Sequence, residues 1–429
     1  MLLSGIISYG KLQLSNIILL GIIGLGGFLI LILGAFWFYE DIEQQMVLKI
    51  IIFLGVLLLG YFFLLQEESK EENIRFEYPI LVLVALLGIL VTLENTEGLL
   101  IFLGLEIQAF TYYTLVSLNE KDIFSAEGAL KYFLVGALAS GLFILGLGLL
   151  YGTLAKTNFA LLAEFGDNTN NIIFLAAGAL IIIGLLFKVG AAPFHLWLPD
   201  AYQGAKFYIL LFLITFPKIA LFYLIFSINS IFEQNLILLI TIILSSLLGS
   251  IQASAQTKIK RFLAYTIIFN NSFFLSLMLL SGKTAFYALM QSLMLYLIVS
   301  LTTALGFFML KNSETSLRML TLRDLISLKK SNIFLTLIIV VGFFSAAGIP
   351  PFLGFFQKYL ILLALAEKMG SFLMLFLILS SILPAYYYIR ISKILLFMPK
   401  NKHILIKTNT NNTCIIISII FISIFGIVL

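Results

Sequence analysis

The chain is poor in the residues that build metal and redox centres. It holds one cysteine, Cys414, and two histidines, His195 and His403. A single cysteine excludes a disulfide framework, a Cys-ligated metal and an iron–sulfur cluster within this chain. Two histidines also argue against a bis-histidine haem. We therefore predict that the protein works without a cofactor or a bound metal of its own.

Charge is equally scarce. Charged residues make up 11% of the chain and hydrophobic residues 61%, with a mean hydropathy of +1.11. A soluble domain is about 25% charged. A globular core cannot hide so much apolar surface, so lipid must be the solvent and the chain is an integral membrane protein. The N-terminal stretch leads straight into an apolar run, and no cleavable signal or transit peptide is evident.

Apolar runs of roughly 20 residues, the length that spans a bilayer, predict an all-α polytopic membrane protein with about thirteen transmembrane helices. Two runs are too long for one straight helix and contain proline, Pro193 in one and Pro350 with Pro351 in the other. Such breaks usually face protein or a water-filled cavity. The predicted spans are residues 16–39, 46–66, 78–94, 97–118, 126–152, 171–205, 207–228, 235–251, 262–282, 284–310, 331–367, 370–397 and 413–429.

The basic residues of the loops predict the orientation. Loops after odd-numbered spans hold only three basic residues, Lys156, Lys283 and Lys368, whereas loops after even-numbered spans hold fifteen. The positive-inside rule then places the N-terminus and the even loops on the matrix or cytoplasmic side, and the C-terminus opposite. The basic run at 311–330 is accordingly an inside-facing loop and no nucleic-acid site. Loops after even-numbered spans hold fifteen, namely Lys70, Arg75, Lys121, Lys206, Lys258, Lys260, Arg261, Lys311, Arg318, Arg323, Lys329, Lys330, Lys400, Lys402 and Lys407.

The order of the spans predicts an internal repeat within a single membrane domain. Spans three to seven and eight to twelve form two sets of five, and the fourth member of each set is the proline-broken one. An odd number of helices per set makes the second copy inverted, which is typical of transporters with a pathway near the midplane. The predicted parts are N-terminal helices at 1–77, a first repeat at 78–228, a second repeat at 235–397 and a C-terminal helix at 398–429.

Four charged side chains lie deep within predicted spans: Glu106, Lys188, Lys218 and Lys358. A charge near the bilayer centre costs about 3 kcal/mol on insertion scales, so such residues are expected to have a function. Lysines near helix ends can extend to the interface instead. Lys218 lies about ten residues, roughly 15 Å of helix, from either end of its span, too far for that alternative.

Structural alternatives stay open for the other residues. Glu106 and Lys188 could form a buried structural ion pair, and Lys358 could lie at a helix end after its break. Lys131, one turn into its span, could reach the interface. His195 lies seven residues after Lys188, on the same face only if the helix continues past its proline. We keep Lys131 and His195 as weaker candidates.

These residue types favour proton chemistry over sodium binding. Burial disfavours the charged form of a lysine, and a nearby carboxylate favours it. An acid–base pair such as Glu106 and Lys188, whose separation can change, would therefore alternate between holding and releasing a proton. Lys218 and Lys358 could form the next stations. Carboxylates alone would suit Na⁺.

Six stretches carry a family resemblance. The chain resembles subunit 2 of mitochondrial NADH:ubiquinone oxidoreductase (complex I), its bacterial counterpart and the related antiporter-like subunits. The resemblance begins near residue 97, continues to YYYIR at 386–390 and covers most of the chain. The matching stretches are LIFLGLEIQAFTYYTLVSL, SAEGALKYFLVGALASGLFILGLGLLYG, FKVGAAPFHLWLPDAYQGA, PKIA, IKRFLAY and GIPPFLGFFQKYL.

The resemblance implies proton translocation without redox chemistry in this subunit. Glu106, Lys188, Lys218 and Lys358 stand at the family's proton-channel positions. FMN, iron–sulfur clusters, NADH and ubiquinone would belong to the wider complex. Other membrane-arm subunits, including neighbouring antiporter-like ones, and lipids such as cardiolipin are the implied partners. The implied location is the mitochondrial inner membrane, with the N-terminus in the matrix and the C-terminus in the intermembrane space.

Three departures from the family and several rival functions remain. The family has fourteen helices, KFYI replaces its usual PTPV after DAYQGA, and Asn270 stands where it often has a histidine. A water chain supported by Asn270 or Asn271 would have to replace that imidazole. The rivals are a cation/proton antiporter subunit, a structural membrane-arm subunit, and a plastid or bacterial version of the complex.

Overall fold

The computed structural model describes most of the middle of the chain. The chain divides into two compact units, residues 1–83 and 84–429. In the first unit the structure describes only the start of one helix, and every contact given below lies in the second. The described residues are 77–118, 122–163, 172–308, 310–312, 321–322, 333–368, 371–397 and 406–408.

The first half of the described chain is helical throughout. Its helices carry the apolar runs of the sequence, and the loops between them are short. They are α1 (Glu77–Glu94), α2 (Gly98–Ser117), α3 (Ile123–Leu154), α4 (Phe159–Ala163), α5 (Ile172–Val189), α6 (Trp197–Gly204) and α7 (Phe207–Phe232).

The second half of the described chain is also mainly helical and adds one pair of short strands. The strands pair antiparallel, with Lys311 opposite Lys407. The elements are α8 (Asn235–Ala255), α9 (Ile259–Leu277), α10 (Lys283–Phe308), β1 (Leu310–Asn312), α11 (Ile333–Ala347), α12 (Leu353–Lys368), α13 (Ser371–Ser380), α14 (Ile382–Phe397) and β2 (Ile406–Thr408).

The helices agree with the predicted spans wherever the structure describes them. Ten of the thirteen spans coincide with a helix or with a broken pair of helices. Seven described helices are long and apolar enough to cross a membrane, so the polytopic all-α class is confirmed. Spans 16–39, 46–66 and 413–429 lie outside the described residues.

Three local features were not predicted, the first of which is the short helix α4 between two predicted spans. The strand pair of β1 and β2 lies in polar loop sequence that has no periodic apolar pattern. The span predicted at 370–397 is interrupted at Ser381. Pro384 has no N–H, so the carbonyl of Ser380 loses its usual helical partner four residues on. That loss explains why α13 ends there and α14 begins anew.

Both long predicted spans are broken next to their prolines, as the sequence predicted. In the first, α5 is followed by Gly190, whose φ is +73°, and Pro193 stands three residues later. In the second, α11 is followed by Gly348, with φ +84°, and Pro351 again stands three residues on. A positive φ is open to glycine without a steric penalty, so each glycine ends the α-helix at the same point before the proline.

Matching loop contacts support the two predicted repeats. Glu97, just before α2, forms a β-bridge with Asn158 after α3. Lys258, just before α9, forms the corresponding bridge with Thr321 after α10. The position of each bridge in its series of helices is the same. The repeat boundaries at 78–228 and 235–397 stay a prediction.

Helix α7 forms the centre of the second unit. It is apolar on all faces, as expected of a helix that packs against others all round, and most of its side chains are buried. Lys218 is buried with them, 3% exposed, midway along this helix.

Candidate functional site

Glu106 and Lys188 form an ion pair between α2 and α5. The Lys188 ammonium lies 2.9 Å from Glu106 Oε1, with side-chain exposures of 10% and 20%. The Ser140 hydroxyl of α3 donates a hydrogen bond to the same carboxylate oxygen. Lys188 stands in the last turn of α5, where the helix dipole favours a cation. The structure thus brings together the acid and the base that the sequence suggested as a pair.

At the first break, Pro193 leaves the Val189 carbonyl without a helical donor, and a side chain of another helix donates to it instead. In a continuous helix the Val189 carbonyl would accept a hydrogen bond from the N–H of residue 193, but Pro193 has none. The side-chain amide of Asn271, on α9, donates to that carbonyl at 3.1 Å. Asn271 is fully buried, and it therefore caps the helix that carries Lys188.

The second break solves the same problem with Lys358. Pro350 and Pro351 deprive the carbonyls of Ala346 and Ala347 of their donors. The ammonium of Lys358, on α12, donates to these oxygens at 3.3 and 2.8 Å. Lys188 precedes its break and Lys358 follows its own. Both nevertheless place a cation at the C-terminal end of the first half-helix.

Lys218 is held by neutral groups. Its ammonium donates to Asn271 Oδ1 at 2.8 Å and to the Tyr296 hydroxyl at 3.2 Å, and it lies 5.2 Å from the centre of the Tyr296 ring. An amide oxygen, a phenol and an aromatic face stabilise a buried ammonium without a full counter-charge. Such a site leaves the group free to change its charge.

Two cavities lie along the line of lysines. The first, with a cavity volume of about 30 Å³, is lined by Lys188, by Gln108 and by Pro217, the neighbour of Lys218. The second, also of about 30 Å³, extends from Tyr296, which contacts Lys218, to Ala346, which accepts from Lys358. Its other polar lining groups are Thr266, Asn270, Ser300, Thr303 and Tyr388.

Lys131 belongs to a separate charged cluster. It lies 2.7 Å from Asp200 and 2.6 Å from Glu127, with its side chain 41% exposed. Asp200 also binds Arg261 at 2.8 Å, and Arg261 in turn donates to Gln203 at 3.1 Å. These contacts fasten α6 to α3 and α9. They place Lys131 near the end of its span and away from the pair of Glu106 and Lys188.

His195 is buried beside the first break. It is 4% exposed, with its ring 6.4 Å from that of Tyr265, centre to centre. Its imidazole faces the side chain of Gln252. Within the described residues, neither of its ring nitrogens makes a hydrogen bond of acceptable geometry. The structure does not bring His195 into contact with Lys188.

The described residues contain no group of three or more His, Cys, Asp or Glu side chains placed to hold a metal ion. His403 and Cys414 lie outside the described part of the chain. Asn271 and Tyr296 contact Lys218, and Ser140 contacts Glu106, the partner of Lys188.

Sequence reasoning found these partners only in part. It named Asn270 and Asn271 together, and the structure assigns the contact with Lys218 to Asn271 while Asn270 lines a cavity. Nothing in the sequence marks Tyr296, one of 18 tyrosines. The sequence held one signal for the charged contacts that fasten α6 to α3 and α9, namely Asp200, an acidic residue that closely follows a break.

Comparison with known proteins gives the family. Residues 96–384 match the family model described as NADH:quinone oxidoreductase/Mrp antiporter, TM. The chain belongs to this family. A relative named NADH-quinone oxidoreductase subunit N from Pelagibacter ubique is 32% identical over 79% of this chain and 74% of its own length. Subunit N of Rhodospirillum rubrum is 35% identical over 77% of this chain and 69% of its own.

Solved structures show the same antiporter-like fold. A chain of respiratory complex I from Thermus thermophilus has a TM-score of 0.77, at 23% identity, over 96% of this chain and 95% of its own. A chain of the Mrp complex from Dietzia sp. gives 0.69 at 23% identity, over 76% of this chain and 62% of its own. At such identities the likeness concerns the fold alone, and it agrees with the predicted class.

Proposed function

We propose that this chain carries protons through the membrane arm of an NADH:quinone oxidoreductase and takes no part in the redox chemistry. The ion pair of Glu106 and Lys188 carries the proposal. A buried ion pair adds little net stability, because desolvation offsets most of the attraction. An intramembrane pair is therefore better explained by function, and charge exchange between an acid and a base is the chemistry that it supports.

The proton route follows the buried lysines. A proton held between Glu106 and Lys188 passes along the first cavity to Lys218, which lies on the neutral groups Asn271 and Tyr296. It then crosses the second cavity to Lys358. Each cavity has room for one or two water molecules, since about 10–15 Å³ of cavity volume is enough to hold one. FMN, the iron–sulfur clusters, NADH and ubiquinone belong to other subunits.

Replacing Lys218 tests the route. In Lys218→Met, NADH oxidation and the proton uptake coupled to it should fall together, by about a hundredfold if the lysine is a positioned proton carrier. The complex should still assemble, because methionine fills the space of the lysine stem. Proton uptake into proteoliposomes, followed with a pH dye during NADH oxidation, measures the effect.

Lys218→Arg provides the matched control. Arginine keeps the positive charge but does not release its proton at accessible pH, so this variant should assemble and also fail to pump. Normal proton uptake in either variant would remove Lys218 from the route. Loss of assembly in Lys218→Met alone, with Lys218→Arg active, would make the role structural.

A cation/proton antiporter subunit is the second candidate. The likeness to a chain of the Mrp complex and the name of the matching family support it. Co-purification decides between the two. A complex that carries flavin and iron–sulfur absorbance with this chain is a respiratory enzyme, and one without them is an antiporter assembly.

We propose that the chain is the mitochondrial form of the subunit, subunit 2. The sequence is rich in phenylalanine, with 41 residues, and in isoleucine and asparagine, a composition that an AT-biased organelle gene produces. The curated relatives described above are bacterial, and a bacterial or plastid origin is the alternative. Fractionation should place the chain in mitochondrial inner-membrane vesicles, and its recovery from another membrane would overturn this source.

The neighbours of the subunit are proposed from the same family. Leu99, Leu103 and Phe110 on α2 and Leu134 and Leu138 on α3 are large apolar side chains exposed on the surface. In a membrane these faces contact lipid, cardiolipin included, or other membrane-arm subunits such as a neighbouring antiporter-like subunit. Cross-linking from these positions in the intact complex identifies which.

A further inference from the structure

We infer that Asn271 couples the charge on Lys218 to the position of Lys188, as a positioning residue between two proton stations. The inference rests on the proposed proton translocation and extends it to a residue that carries no proton. Asn271 is fully buried on α9, and its one amide group makes contacts in two directions.

One end of the amide meets the charge. The oxygen of Asn271 accepts from the Lys218 ammonium at 2.8 Å. A hydrogen bond from a charged donor is roughly twice as strong as one from a neutral donor. The bond is therefore strongest while Lys218 is protonated, and it weakens when the proton leaves.

The other end of the amide holds the helix. Its nitrogen donates at 3.1 Å to the Val189 carbonyl, which Pro193 leaves without a helical donor. Val189 directly follows Lys188, so this bond fixes the turn from which the lysine reaches Glu106 at 2.9 Å. The amide is the only side-chain donor recorded on this carbonyl within the described residues.

The two bonds reinforce each other. Hydrogen bonds in a chain polarise one another, so a positive charge at the oxygen end strengthens the N–H donor at the other end. A protonated Lys218 therefore tightens the hold on the end of α5 and keeps Lys188 beside Glu106. When Lys218 gives up its proton to the second cavity, the end of α5 is held less firmly and the ion pair can separate.

The two breaks differ in the group that donates to the freed carbonyls. There the proton carrier Lys358 caps the orphaned carbonyls of Ala346 and Ala347 with its own ammonium. At the first break the neutral amide of Asn271 donates to the freed carbonyl, and the oxygen of the same amide accepts from a different lysine, Lys218. Two stations on separate helices, α5 and α7, are thereby connected through one side chain.

Hydrogen–deuterium exchange in the assembled complex tests the coupling without relying on activity. Amide exchange at residues 186–192 is compared in the wild type, Lys218→Met, Asn271→Leu and the double variant. The hydrogen bonds of Lys218 go to Asn271 and Tyr296, outside this segment. Lys218→Met should nevertheless speed its exchange, on the order of threefold to tenfold, because the neutral side chain no longer polarises the Asn271 amide.

Asn271→Leu should speed the same exchange on the order of tenfold, since the Val189 carbonyl loses its donor. In the Asn271→Leu background, the further change Lys218→Met should add nothing. Ser276→Ala is the control, because Ser276 lies buried on the same helix and bonds only the Phe273 carbonyl of that helix. It should leave residues 186–192 unchanged.

The outcomes separate this inference from the proposed function. Unchanged exchange at 186–192 in Lys218→Met overturns the coupling, and so do additive effects in the double variant. If Lys218→Met then still abolishes proton uptake, the route stands and only the coupling fails. Normal proton uptake in Lys218→Met removes the function on which the inference rests.

Discussion

At the residue scale, prolines in or just after buried helices create several of the polar contacts near the buried lysines. Each proline leaves the carbonyl four residues earlier without a helical donor. Asn271 takes the Val189 carbonyl, Lys358 those before the second break, and the Tyr202 hydroxyl donates at 3.3 Å to the Leu213 carbonyl, which Pro217 has freed. Buried backbone groups rarely stay unpaired, so the prolines bring polar side chains to the buried lysines.

The ion pair of Glu106 and Lys188 predicts a specific pattern of stability. Glu106→Gln leaves a buried ammonium without its counter-charge and should destabilise the assembled subunit by about 3 kcal/mol. The double variant Glu106→Gln/Lys188→Met should recover most of this loss, because no unpaired charge remains, while proton uptake stays abolished. Thermal dissociation of the subunit from the complex measures the first effect.

Ser140→Ala is the matched control for this pair. It removes one hydrogen bond to Glu106 but keeps both charges, and it should cost about 1 kcal/mol and leave pumping largely intact. A double variant as unstable as Glu106→Gln alone would show that packing, and not the unpaired charge, sets the cost.

At the element scale, the short helix α6 is held so closely that glycine is required on both sides. A Cβ on Gly128 of α3 would come within 2.6 Å of the Asp200 carbonyl oxygen. A Cβ on Gly204 of α6 would come within 2.4 Å of the Phe124 carbonyl oxygen. The ion pairs of Asp200 hold the same elements together from the side. This contact keeps α6 in place after the break that follows Lys188.

Gly128→Ala should therefore separate α3 from α6. Overpacking against backbone costs about 1–3 kcal/mol, and the distance between Lys131 and Asp200 should increase with it. Gly141→Ala is the control on the same helix, because a Cβ there meets nothing within 4 Å. That control should be neutral or stabilising by up to about 1 kcal/mol. Thermal unfolding in detergent compares the two, and equal stability would contradict the close approach.

At the scale of the whole second unit, the strand pair and the two β-bridges of the described residues each join segments that the sequence assigns to one side of the membrane. Lys311 pairs with Lys407, both predicted inside. Glu97 pairs with Asn158, both predicted outside. The structure contains no membrane, so this agreement is independent of the charge count that predicted the sides.

The predicted topology can be checked with single cysteines in a Cys414→Ser background. Lys407→Cys and Lys206→Cys should react with an impermeant maleimide only from the matrix or cytoplasmic side. Lys156→Cys and Lys283→Cys should react only from the other side, since odd and even loops alternate across the bilayer. Labelling of Lys206→Cys and Lys156→Cys from the same face would refute the assigned number of spans between them.

The sequence by itself determined the class, the ten predicted spans that lie in the described residues, both breaks and the four deep charges. Each of these is a local property: twenty apolar residues span a bilayer whatever their neighbours are, and a proline cannot donate wherever it lies. It did not predict the interruption at Ser381, although Pro384 is a cause visible in the sequence, and it did not predict the strand pair.

Only the tertiary structure decided which side chains meet. Glu106 and Lys188 are 82 residues apart in sequence, and so are Val189 and Asn271. Their contacts depend on how α2, α5 and α9 pack, which no local pattern encodes. The same packing turned Lys358 back onto its own break and moved Lys131 to a separate cluster. A charged residue can be read from the sequence alone, whereas a proton path forms only when helices distant in sequence pack together and bring such residues into contact.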